Sequence, residues 1–203
     1  MSEKSYSGFD DAFILRRIIS RPPGKCTIAL LGSSLFGRFK CCASEGLYFE
    51  ENSGVLNLGC NLGGDRIRNV QRYLDKGLLG SLKHHQPNLR LMYIQMGDTD
   101  LTETGLRKSD AQAYARVVKS IRDELPDVKI VITAFFVQRG YSNAVIEEAN
   151  QMLRDIADEN GDAVSFLPFA HDQTCLMSDD RIHPNNTGYR RWYDLLQDDM
   201  KKR

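Results

Sequence analysis

A carboxylate, a histidine and a pair of serines in this sequence have the residue types and spacing that acyl transfer requires. In the segment DRIHP, near the C-terminus, Asp180 precedes His183 by three residues. A carboxylate that orients an imidazole base, next to a hydroxyl nucleophile, forms a catalytic triad. Ser33 or Ser34, in the segment GSSLFGRF, could supply the hydroxyl. These residues predict serine hydrolase chemistry, and the alternative is a helix start that happens to carry a histidine.

Acyl transfer also needs hydrogen-bond donors aimed at the oxyanion that develops in the transition state. The segment GCNLGGDRI contains Gly64 just before a predicted helix, where backbone N–H groups are free to donate. Ordinary turn glycines are the alternative interpretation. The segment DTDLTETG (98–105) briefly resembles a calcium loop, but its glycine and glutamate are at the wrong offsets, so we expect no metal site there.

Five apolar runs rich in β-branched residues predict five strands. They are almost continuously hydrophobic, as strands covered on both faces are. The runs are CTIALLG (26–32), VLNLG (55–59), LRLMYIQMG (89–97), VKIVITAFF (128–136) and AVSFLPF (163–169).

Helical patterns separate the predicted strands. We expect one helix around residues 8–20, and four more with start or stop signals: from Asp65 as N-cap to Leu78, from the Ser109–Gln112 capping pair to Pro126, from Ile146 to the turn at 160–161, and from Pro184 onward. His84 and His85 are predicted to lie in a polar loop. Alternating strands and helices predict a parallel sheet in a three-layer α/β/α sandwich, with function at the carboxyl ends of the strands.

Composition limits the class of protein. The 203 residues suit one domain (1–203), and the formal net charge of zero argues against general attraction to nucleic acid or anionic membranes. Five cysteines without C-x-x-C spacing favour reduced thiols and a cytoplasmic location. No apolar stretch approaches the roughly 20 residues that span a bilayer. Nothing in the composition implies a cofactor or fixes the oligomeric state.

Four segments together resemble the SGNH, or GDSL-like, hydrolase family, which includes the catalytic subunits of the platelet-activating-factor acetylhydrolases. GSSL (32–35) resembles the Gly-Asp-Ser-Leu block, and LNLGCNLGGDRIRNV (56–70) resembles the second block with a two-residue insertion. MGDTDL (96–101) corresponds to the Gly-x-Asn-Asp block, and DRIHP (180–184) to the Asp-x-x-His block. The resemblance implies a flavodoxin-like α/β/α fold with a five-stranded parallel sheet, and esterase activity on a small acyl ester.

The resemblance also implies a role for each matching residue. Ser34 would be the nucleophile, His183 its base and Asp180 the carboxylate that orients His183. The oxyanion hole would comprise the backbone N–H groups of Ser34 and Gly64, with Thr99 at the position where the family has asparagine. A threonine hydroxyl reaches less far than an amide. Losing one such donor costs on the order of 10²–10³ in rate.

A binding module on the same fold is the competing hypothesis. Arg66, Arg68, Arg72 and Lys76 recur along one predicted helix and could form a basic surface for RNA or a protein, although a solvated face is the simpler interpretation. The expected partner of the enzyme is instead a small-molecule ester. The aromatic residues Phe36, Phe39, Tyr48, Phe49 and Tyr141 could line its pocket or belong to the core.

Overall fold

The sheet has the predicted number and direction of strands. The computed structural model describes residues 11–40, 49, 54–59, 66–137, 140–169 and 175–203. In this part of the chain, five parallel strands are arranged in the order β2-β1-β3-β4-β5, which is the flavodoxin-like order. The strands are β1 (Ile28–Gly32), β2 (Val55–Asn57), β3 (Leu91–Gln95), β4 (Lys129–Thr133) and β5 (Val164–Leu167).

Helices cover both faces of the sheet. They are α1 (Asp11–Ile19), α2 (Ser34–Gly37), α3 (Ile67–Asp75), α4 (Leu78–His85), α5 (Lys108–Glu124), α6 (Asn143–Asp158) and α7 (Asn186–Lys202). Short 3-10 turns occupy residues 38–40 and 161–163. The predicted three-layer α/β/α sandwich is confirmed.

Alternation along the strands divides the core into two clusters. In β1, Ala29 and Leu31 pack in the cluster that also holds residues of α1 and α3 to α6. Ile28 and Leu30, which point to the opposite face, pack in the cluster that also holds residues of α2 and α7. Trp192 of α7 is fully buried there. Because both faces are covered, every residue of β1 is buried, which explains its continuous hydrophobic run.

One predicted helix is in fact two. The apolar pattern from Ile67 to Leu78 crosses a break at Gly77, which has a φ of +89° that a side chain would disfavour. Helix α3 ends before it, and α4 begins directly after it. His84 and His85 therefore form the last turn of α4, and their placement in a loop was wrong.

Some helix starts also differ from the prediction. Helix α5 begins at Lys108 with Arg107 as its N-cap, so the Ser109–Gln112 capping pair was wrong. Pro184 precedes the N-cap of α7, Asn185, by one position, instead of opening the helix. The N-cap of α3 is Arg66, so the prediction of Asp65 as its N-cap was wrong, and Asp65 itself lies outside the described residues.

The N-terminal helix is tied to the edge of the sheet. Arg17 of α1 donates hydrogen bonds from Nη1 to the carbonyl oxygens of Asn57 (3.1 Å) and Gly59 (2.8 Å) at the end of β2. This contact fixes the point at which the chain leaves β2 towards the segment that contains Gly64.

Two of the five cysteines lie in the described part of the chain. Cys26 is a buried free thiol whose pKa is raised by burial, and Cys175 is an exposed free thiol. Cys41, Cys42 and Cys60 lie outside the described residues. Among the helices described above, none is both long and apolar enough to cross a bilayer.

Candidate active site

The nucleophile candidate lies at the start of a helix that follows the first strand. Ser33 is the N-cap of α2, and its Oγ accepts a hydrogen bond from Leu35 N at 3.3 Å. The same Oγ donates to Gln95 Oε1 at 2.9 Å, while Ser33 N donates to the Gln95 carbonyl, also at 2.9 Å. Ser34 is the first residue of α2, so its side chain is not needed as a cap. The two adjacent serines therefore have separate partners.

His183 faces Ser34. The Oγ of Ser34 lies 3.0 Å from His183 Nε2, although the two residues are 149 positions apart in the sequence. Both residues are buried, with relative exposures of 5% and 6%. A hydroxyl at this distance from an imidazole nitrogen can transfer its proton directly.

Asp180 completes a chain of three groups. Its Oδ2 lies 2.8 Å from His183 Nδ1, on the far side of the ring from Ser34. If Nδ1 carries the proton and donates it to the carboxylate, Nε2 is left with the lone pair that can accept the Ser34 proton. The structure thus brings together the three residues that the sequence singled out, in the order hydroxyl, imidazole and carboxylate.

The other carboxylate oxygen of Asp180 holds the loop in shape. Oδ1 accepts hydrogen bonds from Ile182 N and His183 N, each at 2.9 Å, and from Ser178 Oγ at 2.7 Å. Arg181 has a φ of +51°, so the backbone folds back and brings these two N–H groups onto one oxygen. Arg181 is the only non-glycine residue with positive φ among the described residues.

These contacts determine the charge of Asp180. Its partial burial raises its pKa, but the hydrogen bonds from His183 N, Ser178 Oγ and Ile182 N outweigh this effect. Together with the His183 ring, they hold the pKa of the Asp180 carboxyl well below its usual range. Asp180 therefore stays ionised throughout the pH range in which a histidine titrates.

The loop that carries Asp180 and His183 is held against the start of α7 by hydrogen bonds. Ser178 N donates to the His183 carbonyl at 2.8 Å, and Asn185 N donates to the Leu176 carbonyl at 2.7 Å. The Asn185 side chain caps α7 by accepting from Gly188 N at 2.9 Å. A Cβ at Gly188 would overlap the Leu176 carbonyl oxygen, so the close approach of loop and helix requires glycine.

Only part of the predicted oxyanion hole can be located. Ser34 N is at the N-terminus of α2, whereas Gly64 lies outside the described residues. Thr99 follows β3 and is half-buried, and within the described part of the chain no group forms a hydrogen bond with its hydroxyl. The neighbouring Asp100 is buried, and its Oδ2 accepts from Ile67 N at 2.9 Å. Asp100 thereby holds the first turn of α3, directly after the segment that contains Gly64.

A buried asparagine links the second block to α2, the helix that begins at Ser34. Asn57 Nδ2 donates to the Phe36 carbonyl in α2 at 2.8 Å, and Asn57 Oδ1 accepts from Gly59 N at 2.8 Å. Sequence reasoning missed both Asn57 and Gln95. The signal was present, because each is a polar residue inside an otherwise apolar strand, where burial requires a hydrogen-bond partner.

Other predicted features have a different place in the structure. Phe36 and Phe39 are buried against Trp192, and Phe49 is buried against Phe39 and Tyr193, so all three belong to the core. Tyr48 lies outside the described residues. Among the described residues, no group of three or more His, Cys, Asp or Glu side chains is arranged to hold a metal ion. On the basic face of α3, Arg66 lies 3.5 Å from Asp100, and nucleic-acid binding by that face remains a prediction.

Comparison with known proteins assigns the family. The profile of the GDSL-like Lipase/Acylhydrolase family matches residues 42–191. The chain belongs to the GDSL-like lipase/acylhydrolase family. The matched region includes the loop with Asp180 and His183 but begins after Ser34, so the choice of nucleophile in this GDSL-like protein depends on the contacts described above. No curated protein matches the chain.

Solved structures of low sequence identity share the GDSL-like fold. A Streptococcus pneumonia protein whose name refers to platelet activating factor is 17% identical, with a TM-score of 0.69 over 93% of this chain and 89% of that one. A mutant acetyl esterase, solved with an acetate ion, is 13% identical, with a TM-score of 0.64 over 87% and 97%. The psychrotrophic esterase EstA from Pseudoalteromonas sp. is 19% identical, with a TM-score of 0.64 over 86% and 96%.

Proposed function

We propose that this protein is a serine esterase that hydrolyses a small acyl ester through Ser34, His183 and Asp180. The observation that carries the proposal is the unbroken series of contacts from Ser34 Oγ to His183 Nε2 (3.0 Å) and from His183 Nδ1 to Asp180 Oδ2 (2.8 Å). Membership of the GDSL-like family supports the reaction class. A cytoplasmic location, expected from the cysteines, is part of the same proposal.

In the first half of the reaction, Ser34 Oγ attacks the acyl carbon while its proton passes to His183 Nε2. The negative charge on ionised Asp180 stabilises the imidazolium that forms. Collapse of the tetrahedral intermediate breaks the bond to the alcohol oxygen, which takes the proton from Nε2 as it leaves. The acyl group is then bound to Ser34 as an ester.

In the second half, water takes the place of Ser34 as the nucleophile. His183 Nε2 removes a proton from water, the hydroxide attacks the acyl carbon, and Ser34 Oγ leaves with the proton from His183. The products are a carboxylic acid and the free enzyme. The oxyanion in both halves would be stabilised by the backbone N–H groups of Ser34 and Gly64 and by the Thr99 hydroxyl, with Thr99 as the weakest donor.

One comparison favours a small acyl group. One structural neighbour of the same fold is an acetyl esterase that was solved with acetate. We therefore propose acetyl esters as the first substrates to test.

The adjacent serines provide a matched experiment. The full chain is treated with a fluorophosphonate probe, the modified residue is mapped by mass spectrometry, and p-nitrophenyl acetate hydrolysis is measured in parallel. We expect modification of Ser34 only, loss of labelling and turnover in Ser34→Ala, and retained labelling in a folded Ser33→Ala variant. Modification at Ser33, or equal turnover by wild type and Ser34→Ala, would contradict the proposal.

A further inference from the structure

A cation lies beside the carboxylate that orients His183. Arg38, in the 3-10 turn after α2, donates from Nη1 to Asp180 Oδ2 at 3.3 Å. This is the same oxygen that faces His183 Nδ1, whereas Oδ1 serves the loop backbone and Ser178. Arg38 and the imidazole therefore share one carboxylate oxygen. The sequence blocks gave no reason to expect Arg38, which is 142 residues from Asp180.

We propose that Arg38 is a positioning residue for the Asp180–His183 pair. Arg38 holds the carboxylate towards the ring and keeps the imidazole neutral down to a lower pH. This inference rests on the proposed function, in which neutral His183 is the base. The Arg38 guanidinium and the imidazole contact the same carboxylate oxygen. The guanidinium therefore disfavours protonation of the ring, because two positive charges would then lie next to one oxygen. Arg38 therefore opposes the effect of Asp180, which favours the imidazolium.

Several charged and titratable groups besides Arg38 lie near the pair. On the loop, Asp179 and Arg181 flank Asp180 with opposite charges, and neither forms a salt bridge with the pair among the described residues. Ser34 is the neighbour on α2, and Tyr189 and Arg190 are the ionisable residues nearest the start of α7. Tyr189 donates a hydrogen bond from its hydroxyl to the Leu35 carbonyl at 3.3 Å.

The pair is partly open to solvent, which limits the effect. The side chains of Arg38 and Asp180 are 34% and 39% exposed. Exposed ion pairs contribute little because water and salt screen them. We therefore expect removal of the Arg38 charge to raise the pKa of His183 by about 0.3–0.7 units.

Nuclear magnetic resonance can test this without relying on catalysis. The imidazole signals of the full chain are followed with pH, and that of His183 is assigned by its absence in His183→Asn. We expect the His183 pKa to rise in Arg38→Gln, to rise further in Arg38→Glu and to stay near the wild-type value in Arg38→Lys. Arg122→Gln is the control, because it removes the same charge from the surface of α5, where Arg122 donates to Asn160.

The kinetic readout should follow the spectroscopic one. The acidic limb of the kcat/KM profile is expected to move to higher pH in Arg38→Gln by the same amount as the His183 pKa. An unchanged or lower His183 pKa in folded Arg38→Gln and Arg38→Glu would overturn the inference, as would an equal rise in Arg122→Gln. If the His183 pKa rises in Arg38→Gln but the wild type has no esterase activity, the positioning role of Arg38 would still be supported. The proposed function would then be contradicted.

Discussion

Replacing Gly188 by alanine should move the loop that carries Asp180 and His183 without changing either side chain. The new Cβ would overlap the Leu176 carbonyl oxygen and lie 2.8 Å from Pro184 Cβ. Carbon contacts are favourable only from about 3.5 Å, so the loop has to retreat by about 1 Å. Because Leu176 and Pro184 bracket Asp180 and His183, that displacement moves the base away from Ser34.

The magnitudes follow from this displacement. Overpacking of this kind costs about 1–3 kcal/mol, of which alanine recovers roughly 0.5–1 kcal/mol through its better helix propensity. The free energy of unfolding should therefore fall by about 0–2.5 kcal/mol. A misplacement of about 1 Å in a catalytic site can lower the rate by around 10²-fold. We expect kcat on p-nitrophenyl acetate to fall by this order while urea unfolding shows a folded protein.

Gly80→Ala is the matched control. Gly80 lies inside α4, and a Cβ there would have no described atom within 4 Å. The substitution should stabilise the protein by about 0.5–1 kcal/mol and leave kcat unchanged. If Gly188→Ala were as active as wild type, Gly188 would not hold the loop in the catalytic position and our reasoning would be refuted.

Three further predictions concern the same site. Thr99→Asn introduces the amide that the family has at this position and should raise kcat by up to about 10²-fold. Thr102→Asn, three residues further on, is the control and should leave kcat unchanged. If both substitutions changed kcat equally, a role for Thr99 in the oxyanion hole would be contradicted. Ser178→Ala removes a hydrogen bond to Asp180 Oδ1 and should lower kcat about tenfold. Ser20→Ala, at the exposed end of α1, is the control and should leave kcat unchanged. A normal kcat in Ser178→Ala would show that Ser178 does not support Asp180. Because the native pKa of Asp180 is lowered, its ionised form stabilises the fold above about pH 4 and this contribution is lost as pH falls through the native value. On acidification, the urea unfolding midpoint of Asp180→Asn should therefore fall less than that of the wild type. If the two midpoints fell equally with pH, the lowered pKa of native Asp180 would be contradicted.

The sequence predicted those features that depend on local pattern. The five strands were recognisable because they are almost continuously apolar, as strands covered on both faces are, although β5 is only partly buried. Asp180 and His183 were recognisable because they lie three residues apart in one tight loop. The choice between Ser33 and Ser34 came from the family resemblance, and in the structure Ser34 is the serine that faces His183.

The features that were missed depend on contacts between distant segments. Gln95 holds Ser33 across 62 residues, and Arg38 reaches Asp180 across 142, and no local spacing encodes either contact. The break at Gly77 was missed because the apolar pattern of α3 continues into α4 at helical spacing. Ser178 had a recognisable place two residues before Asp180, but its role depends on a loop shape that only the fold defines.

The contact of Arg17 with the end of β2 has a consequence for association between molecules. The outermost strand of an open sheet exposes unpaired carbonyl groups on which a foreign strand can add. Here β2 has only three residues, and a charged side chain from α1 occupies the carbonyl groups of Asn57 and Gly59 at its end. We therefore expect the N-terminal helix to hinder intermolecular strand addition at this end of β2 while it anchors the second block.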